Sequence, residues 1–308
     1  MAVLVTGASG FIGSALIPLL IEKGHLVYGL SRHPPFGERN LIPITGDVTE
    51  PNLGLKDVPK DIKTIYHLAG NHSLSQEDKD GLIWKTNVDG TKNVLDFCLK
   101  HDIPRLAFIS TAYTWPVNPY GLSKIENESA ITEFAKEHNI ETTLFKPSIV
   151  MGTAENPFPG HFSRFISAVI QIHRRAELIR RRIEGTLRLP VIEPLFRIKG
   201  NPEGKLNLIQ INQVAWGITN IEGAGTFWLT HPDPPTLQQL ADWIGELIMV
   251  RMKFLPEFKP TPIEAAFQKM TVAFQPYLMG DDFKSDLKSC PPISKGFIQE
   301  TVKKTVLD

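Results

Sequence analysis

A glycine-rich turn near the start of the chain constrains the fold more than any other feature. The segment "TGASGFIG" (6–13) lies between a short apolar run, 2–6, and a segment with helical periodicity, 11–24. Glycines in this strand–turn–helix context let the backbone approach a pyrophosphate, which then lies at the positive helix N-terminus. The residues of this turn expected to contact a dinucleotide are Gly7, Ser9, Gly10, Phe11, Ile12 and Gly13.

The first half of the chain alternates strand-like and helix-like segments. Predicted strands cover 2–6, 25–32, 41–47, 64–70 and 105–111, and the segment 141–152 is predicted as a strand that runs into a loop. Predicted helices cover 11–24, 81–101 and 120–138. The strands show no strict polar alternation, which is typical of strands buried on both faces of a parallel sheet. We therefore predict an α/β fold, a doubly wound parallel sheet of the Rossmann type, with a smaller, mostly helical C-terminal substrate lobe.

The pattern changes after residue 152, where a proline-rich loop leads into a helix and a basic run. Two further predicted strands, 206–211 and 226–231, flank a helix and are candidates to rejoin the main sheet. The expected domains are an NAD(P)-binding domain and a substrate lobe. We assign residues 1–152 to the first, with 205–232 returning to it, and residues 153–204 and 233–308 to the second.

Composition narrows the class of protein. The 308 residues are 42% hydrophobic. The 33 Lys and Arg balance 33 Asp and Glu, so the net charge of the whole chain does not indicate a nucleic-acid partner. Cys98 and Cys290 are expected to be buried free thiols of a reducing compartment. No apolar run reaches the ~18 residues of a membrane span, and the N-terminus lacks a cationic signal region. A cytoplasmic protein is the expectation.

The end of the second predicted strand bears on the choice of cofactor. An acidic residue there, about 20 residues beyond the glycines, binds the 2′-hydroxyl of NAD. Here the segment reads "LSRHPP", with Ser31 and Arg32 and no carboxylate before Glu38. A hydroxyl and a guanidinium suit a 2′-phosphate, which they can hydrogen-bond and neutralise. The sequence therefore favours NADP(H), with NAD(H) as the second choice.

The stretch "STAYTWPVNPYGLSK" (110–124) holds candidate groups for proton transfer. Tyr120 and Lys124 are four residues apart at a helix start, so both side chains project from one face. A phenol has an ordinary pKa of about 10, and a neighbouring ammonium together with a helix N-terminus favours the phenolate. Thr111, at the end of the preceding strand, is placed to hydrogen-bond a substrate oxygen, since ligands of open α/β sheets lie outside the strand ends.

The motifs "TGASGFIG", "GDVT", "HLAG", "NVDGTKNVL" and "YGLSK" resemble, in order and spacing, the extended short-chain dehydrogenase/reductase superfamily, the NAD(P)-dependent epimerase/dehydratase-like proteins. "STAY" and "KPSIVMG" are more similar to its fatty acyl-CoA reductase and thioester reductase-like branch than to its sugar epimerases. The resemblance covers about the first 150 residues well and the remainder loosely.

The resemblance implies specific residue roles. It implies a Tyr120, Lys124 and Thr111 apparatus, with Asn87 in a proton relay and Lys124 also holding the nicotinamide ribose. It further implies cofactor contacts from Asp47, Val48, Leu68, Ala69, Gly70 and Pro147. Members of the superfamily often form dimers through two sheet-flanking helices. The resemblance therefore makes 81–101 and 120–138 the candidate interface of a homodimer, although the sequence does not fix the oligomeric state.

Residues 171–200 contain eight Arg or Lys against three Glu. This basic run is either a solvated helix face or a dock for an anionic substrate handle, such as the phosphates of acyl-CoA, a carrier-bound acyl group or a nucleotide sugar. The nine histidines show no HExxH or paired spacing, so we predict no metal site.

Three functions remain open on the sequence. The first is an NADP-dependent reductase of a carbonyl or acyl thioester, and the second is a nucleotide-sugar epimerase or dehydratase that keeps NAD bound. The third is an NADP-binding sensor or scaffold without turnover. It stays open because Thr111 and Tyr120 are only nine residues apart, where relatives have a longer loop.

Overall fold

The computed structural model describes residues 1–187 and 195–307, which divide into two compact units. The first unit comprises Met1–Ser148, Ile211–Thr230 and Ser285–Lys288; the second comprises Ile149–Gln210, His231–Lys284 and Ser289–Asp308. The assignment of one part of the chain to the cofactor and another to the substrate stays a prediction.

A parallel sheet of seven strands forms the centre of the first unit. Its order is β10-β6-β5-β4-β1-β2-β3, and every neighbouring pair is parallel. The strands are β1 (Ala2–Thr6), β2 (Leu26–Ser31), β3 (Leu41–Thr45), β4 (Ile62–His67), β5 (Arg105–Ile109), β6 (Glu141–Pro147) and β10 (Gly225–Leu229). The chain winds outward from β1 in both directions, which confirms the predicted doubly wound α/β fold.

Helices accompany this sheet. They are α1 (Phe11–Glu22), α2 (Leu82–Trp84), α3 (Gly90–Lys100), α4 (Pro119–His138) and α6 (Ile211–Asn220). The predicted helix 81–101 is a single helical run, but a π-helical turn, Lys85–Asp89, separates α2 from α3. Such turns are rare and frequently lie at functional sites.

Local sequence signals fix the two ends of α4. The Asn118 side chain caps its N-terminus by accepting a 2.8 Å hydrogen bond from the Gly121 N–H, and Pro119 occupies the first helical position. Asn139 ends the helix in the left-handed conformation, with φ of 51°. Since α4 carries Tyr120 and Lys124, this N-terminal cap also fixes the positions of those two residues in the first turns of the helix.

One core packs the sheet against α3 and α4. Leu4, Ile65 and Phe108 contribute from the strands, whereas Phe97 and Ile131 contribute from the helices. Cys98 belongs to the same core, and its burial raises the pKa of its thiol to about 12. Both cysteines are free thiols, as predicted, although Cys290 is only half-buried.

Within its described residues, the second unit contains two short parallel strand pairs and four α-helices. The strands are β7 (Ile149–Met151) with β9 (Leu208–Gln210), and β8 (Phe196–Lys199) with β11 (Met252–Leu255). The helices are α5 (His161–Leu187), α7 (Leu237–Ile248), α8 (Pro262–Met270) and α9 (Lys295–Val302). Capping boxes begin α7 at Thr236 and α8 at Thr261, the two proline-marked helix entries.

Three expectations about strands differ from the structure. The segment 141–152, predicted as a strand that runs into a loop, instead forms two strands. The main-sheet ladder ends where Pro147 pairs with Leu229, and the Ile149 N–H donates to the Asn207 carbonyl. Because the hydrogen bonds change partner after Pro147, the strand predicted over 206–211 pairs with β7 and not with the main sheet. The strand predicted over 226–231 does join the main sheet. β8 and β11 were not predicted. Within residues 1–187 and 195–307, no helix has the length and apolar content needed to cross a bilayer.

Candidate cofactor and catalytic site

The glycine turn between β1 and α1 packs tightly against the end of β4. Gly7 has φ of 70°, and a Cβ added there would lie 2.8 Å from the Ala69 nitrogen. A Cβ on Gly13 would lie 2.6 Å from the Gly7 carbonyl oxygen, so both positions exclude any side chain. Gly10, the N-cap of α1, provides no side-chain hydrogen bond to the first turn of that helix.

This turn fits the phosphates of a dinucleotide. The backbone is bare of side chains at Gly7, Gly10 and Gly13, and it leads into the positive end of a twelve-residue helix that no side chain caps. The turn also lies beside the point where the strand order reverses between β1 and β4, which is where open α/β sheets bind ligands.

The end of β2 lies close to the glycine turn. Ser9 Oγ donates a 3.1 Å hydrogen bond to Ser31 Oγ, and Arg32 is exposed immediately after it. The structure therefore brings together the two segments from which the sequence predicts phosphate contacts.

The ends of β3 and β4 are ordered by internal hydrogen bonds. Asp47 Oδ1 accepts from both the N–H and the hydroxyl of Thr49, each at 2.9 Å, and the buried Val48 packs on Gly90. Leu68 N–H donates to the Thr6 carbonyl, and Ala69 N–H approaches Thr6 Oγ1 at 3.3 Å. These loops follow strands that all run parallel, so they lie along the same carboxyl edge of the sheet.

Lys124 is a buried cation beside the Tyr120 ring. Its side-chain nitrogen lies 5.9 Å from the Tyr120 ring centroid, 4.7 Å from that of Phe108, and donates a 2.8 Å hydrogen bond to the Ile109 carbonyl. Burial lowers the pKa of Lys124 to about 8, and the charge of Glu128 opposes that shift. Tyr120 is half-buried, so the ring bridges the interior and the surface.

Asn87 lies in the π-helical turn next to this lysine. Its Oδ1 accepts from the Asn71 N–H at 2.7 Å, while its Nδ2 donates to the Asn71 carbonyl and to Ser123 Oγ. A Cβ built on Gly70 would lie 3.3 Å from Asn87 Oδ1 and 3.8 Å from Lys124 Nζ. The structure thus brings Asn87, Gly70 and Lys124 together, as a relay would require.

His67 completes the buried side of the site, and the sequence reasoning gave it no role. Its Nδ1 lies 2.7 Å from Thr6 Oγ1 and its Nε2 lies 3.2 Å from Thr91 Oγ1. Burial, and secondarily the charge of Lys124, lowers the pKa of His67 to about 3. The imidazole is therefore neutral at physiological pH and adds no second positive charge beside Lys124. The signal for His67 that was available in the sequence is a histidine at the end of an apolar strand, directly before the segment "LAG".

Thr111 lies two residues beyond the end of β5, not within the strand. Its Oγ1 accepts a 3.2 Å hydrogen bond from the Tyr113 N–H, which leaves the hydroxyl proton available to another acceptor. Next to it, the Ala112 N–H donates to the Pro147 carbonyl at 2.8 Å. Thr111 is only 7% exposed.

The short loop from Thr111 to Tyr120 folds closely over the start of α4. A Cβ on Gly121 would lie 2.0 Å from the Trp115 carbonyl oxygen, so only glycine allows this approach. The rings of Tyr113 and Trp115 meet edge to face, 5.1 Å apart. The nine-residue spacing is thus compatible with a strand–loop–helix connection.

Comparison with known proteins places this geometry in a family. Residues 3–186 match the model of the NAD dependent epimerase/dehydratase family. The chain belongs to this family. The match covers more than half of the chain, including the glycine turn, Asn87 and the Tyr120–Lys124 pair, and it confirms the resemblance drawn from the sequence motifs.

Relatives in this family include both epimerases and reductases. The chain is 30% identical over 179 residues to a putative UDP-glucose 4-epimerase of Methanocaldococcus jannaschii, covering 50% of this chain and 58% of the relative. It is 27% identical over 197 residues to a dihydroflavonol 4-reductase of Callistephus chinensis, covering 51% and 54%. These matches thus span only a little over half the length of the two relatives.

Solved structures share the fold over nearly the whole chain. The terminal R domain from the myxalamid PKS-NRPS pathway aligns with a TM-score of 0.73 and 16% identity, covering 99% of this chain and 90% of that one. A thiolation-reductase di-domain from an archaeal non-ribosomal peptide synthetase aligns with a TM-score of 0.70, 16% identity, and coverage of 99% and 89%. At this identity the similarity establishes the fold.

Proposed function

We propose that this chain is an NADP-dependent reductase of a carbonyl or an acyl thioester. The observation that carries the proposal is the buried Lys124 ammonium, which lies beside the half-buried Tyr120 ring and close to Asn87. A buried cation next to a phenol is the arrangement that lets the phenol lose its proton near neutral pH.

Bound at the glycine turn, the nicotinamide cofactor would supply the hydride that attacks the substrate carbonyl carbon. Tyr120 would give its proton to the carbonyl oxygen, and the Lys124 ammonium would stabilise the phenolate that remains. The Thr111 hydroxyl would donate a hydrogen bond to the same oxygen and orient it. With a thioester, addition of the hydride and the proton would give a hemithioacetal. Its C–S bond would then break, the hydroxyl proton would leave with the sulfur as a thiol, and an aldehyde would remain.

Asn87 is proposed to return the proton. Its amide is fixed by Asn71 and Ser123, and its oxygen lies near the Gly70 backbone on the Lys124 side of the site. A proton can then reach Lys124 from outside through water held at this amide, which we propose as a relay.

The end of β2 supports NADP over NAD. Ser31 touches the glycine turn through Ser9, and Arg32 follows with its side chain exposed to solvent. A guanidinium there would neutralise a 2′-phosphate, whereas a dinucleotide with a free 2′-hydroxyl gains nothing from it.

A second candidate is a nucleotide-sugar epimerase or dehydratase. The 30% identity to the putative UDP-glucose 4-epimerase favours it. In that case Tyr120 and Lys124 would serve a transient oxidation of the substrate by bound NAD. Turnover without net cofactor consumption distinguishes this candidate from a reductase.

The deciding experiment is a panel of aldehydes, acyl-CoA thioesters and nucleotide sugars, each followed by NADPH absorbance and by product analysis. The proposal expects stoichiometric NADPH oxidation with at least one aldehyde or thioester. Conversion of a nucleotide sugar with no net change in NADPH would instead establish the second candidate.

A further inference from the structure

A largely buried ion pair joins the candidate catalytic helix to β6 and takes no part in the steps above. The Lys146 side-chain nitrogen, on β6, lies 2.8 Å from the Glu128 carboxylate on α4, and the Lys146 side chain is 6% exposed. Glu128 also accepts a hydrogen bond from Ser110 Oγ. Burying two charges costs free energy unless hydrogen bonds complete the pair, so stability alone is a weak explanation for it.

On one side, the pair holds the short loop between Thr111 and Tyr120. Lys146 Nζ donates a 3.0 Å hydrogen bond to Thr114 Oγ1, in the middle of that loop, and lies 4.9 Å from the Trp228 ring centroid. Ser110, which binds Glu128, directly precedes Thr111. One ion pair therefore anchors the loop at its centre and at the residue before its start.

On the other side, the pair sets the charge near Lys124. Glu128 follows Lys124 by four residues, so both project from one face of α4, and the carboxylate favours the ammonium form of Lys124. Among the described residues, the titratable groups that face Lys124 are His67 from β4, and Tyr120 and Glu128 from its own helix. Lys146 faces Glu128 from β6.

We propose that Glu128 and Lys146 are positioning residues of the Tyr120–Lys124 site, an inference that rests on the proposed function. Their ion pair holds the loop that carries Thr111 to Tyr120, and it fixes the Glu128 carboxylate four residues from Lys124 on the same face of α4. Neither residue contacts substrate in this proposal; both act through groups that do.

The test compares kcat/KM across pH for the full chain and two single variants, with the substrate identified by the panel. Glu128→Gln removes the negative charge and leaves the Lys146 cation, so the basic limb of the profile should move down by about one pH unit. Lys146→Met leaves the carboxylate unopposed, so the same limb should move up. Lys146→Met should also lower kcat about tenfold, because the Thr114 anchor is lost.

A matched control is Glu133→Gln, on the same helix but exposed, which should leave the profile unchanged. Opposite shifts are the informative result, because a purely structural pair would lower activity equally at every pH. Wild-type limbs in both variants, or shifts in the same direction, would overturn the proposal.

If a single variant does not fold, the double variant Glu128→Gln/Lys146→Met removes both charges without leaving one unpaired. This double variant should keep the basic limb of its pH profile close to the wild-type position, with a reduced kcat. An unchanged kcat would contradict the proposal that the ion pair anchors the loop. The proposed function fails separately. A Tyr120→Phe protein that stays active refutes the proposed function. An inactive Tyr120→Phe protein, together with unshifted limbs in the Glu128 and Lys146 variants, refutes the ion-pair proposal alone.

Discussion

The pKa values of two buried basic side chains in the first unit, Lys124 and His67, are lowered to different extents, and the difference has a physical cause. Lys124 keeps a pKa of about 8 because the charge of Glu128 partly offsets its burial, whereas His67 falls to about 3 with burial and the Lys124 charge acting together. Near neutral pH, Lys124 therefore remains largely cationic, whereas His67 is neutral.

The low pKa of His67 predicts acid lability. The unfolded chain binds a proton on this histidine below a pKa of about 6.5 and the folded chain does not, so its contribution is complete above pH 6.5 and is lost as pH falls towards 3. At pH 5 the loss is about 2 kcal/mol. Denaturant unfolding of the wild type and of His67→Gln at pH 7.5 and pH 5 measures it.

The variant should lose about 2 kcal/mol less between the two pH values than the wild type does. Equal losses in the two proteins would show that His67 is not the titrating group.

Arg32 tests cofactor choice at the level of one residue. Arg32→Asp replaces the guanidinium with a carboxylate that repels a 2′-phosphate and can accept from a 2′-hydroxyl, so the NADP(H) preference should reverse. Calorimetry with NADP(H) and NAD(H) gives both affinities. Arg39→Asp, an exposed change in the same segment, should leave the preference intact. Tighter NAD(H) binding by the wild type would refute the assignment.

At the scale of elements, the start of α4 depends on Gly121. Gly121→Ala would place a methyl group 2.0 Å from the Trp115 carbonyl, so the loop must move, at a cost of about 1–3 kcal/mol in the free energy of unfolding. Gly185→Ala is the control, because α5 leaves open space there and alanine favours the helix by up to about 1 kcal/mol. Thermal unfolding should therefore shift in opposite directions, and a Gly121→Ala protein as stable as the wild type would contradict the close approach.

The basic run is divided between α5 and β8, on which Arg197 and Lys199 lie, and its arginines on α5 differ in their surroundings. Glu177 pairs with Arg180 and Arg181, which lowers the pKa of the Glu177 carboxyl to about 2. Arg181 and Arg182 are exposed, whereas Arg180 is half-buried. Residues 188–194 of the run lie outside the described part of the chain. The structure thus places part of the run in helix-internal ion pairs, and the prediction of a substrate dock stays open.

A dock for a phosphate-bearing substrate makes a kinetic prediction. Replacing Arg180, Arg181 and Arg182 with Gln should raise KM for an acyl-CoA and weaken its salt dependence, because exposed charges act across about 8 Å at physiological salt. Affinity for NADPH should not change. Arg164→Gln, exposed on the same helix, is the control. Unchanged KM and salt dependence in the triple variant would show that the run is only a solvated helix face.

At the scale of the molecule, the sequence predicted the sheet well because each strand contains a short apolar stretch and these stretches alternate with helical segments. The glycine turn itself was also predictable, since a bare backbone before a helix has few other uses. Strands β8 and β11 were missed because four-residue strands carry too little periodicity. The second strand of 141–152 was missed because its partner, Leu208–Gln210, is distant in the chain and only the fold shows the pairing.

Within the candidate site, the sequence proposed residues where a motif fixes their spacing. Tyr120, Lys124 and Asn87 fall in such motifs, whereas His67 and Lys146 contact partners that are distant in the chain. The Glu128–Lys146 pair joins residues 18 apart, and only the fold shows that it also reaches Thr114.

The measurement that tests the central claim most directly is single-turnover NADPH oxidation by Tyr120→Phe, with cofactor binding measured on the same sample. Phenylalanine keeps the ring but cannot give a proton, so the rate should fall about 10²- to 10⁴-fold while the Kd for NADPH stays within about twofold. Tyr28→Phe, outside the site, should match the wild type. A Tyr120→Phe protein that oxidises NADPH at the wild-type rate would contradict the account.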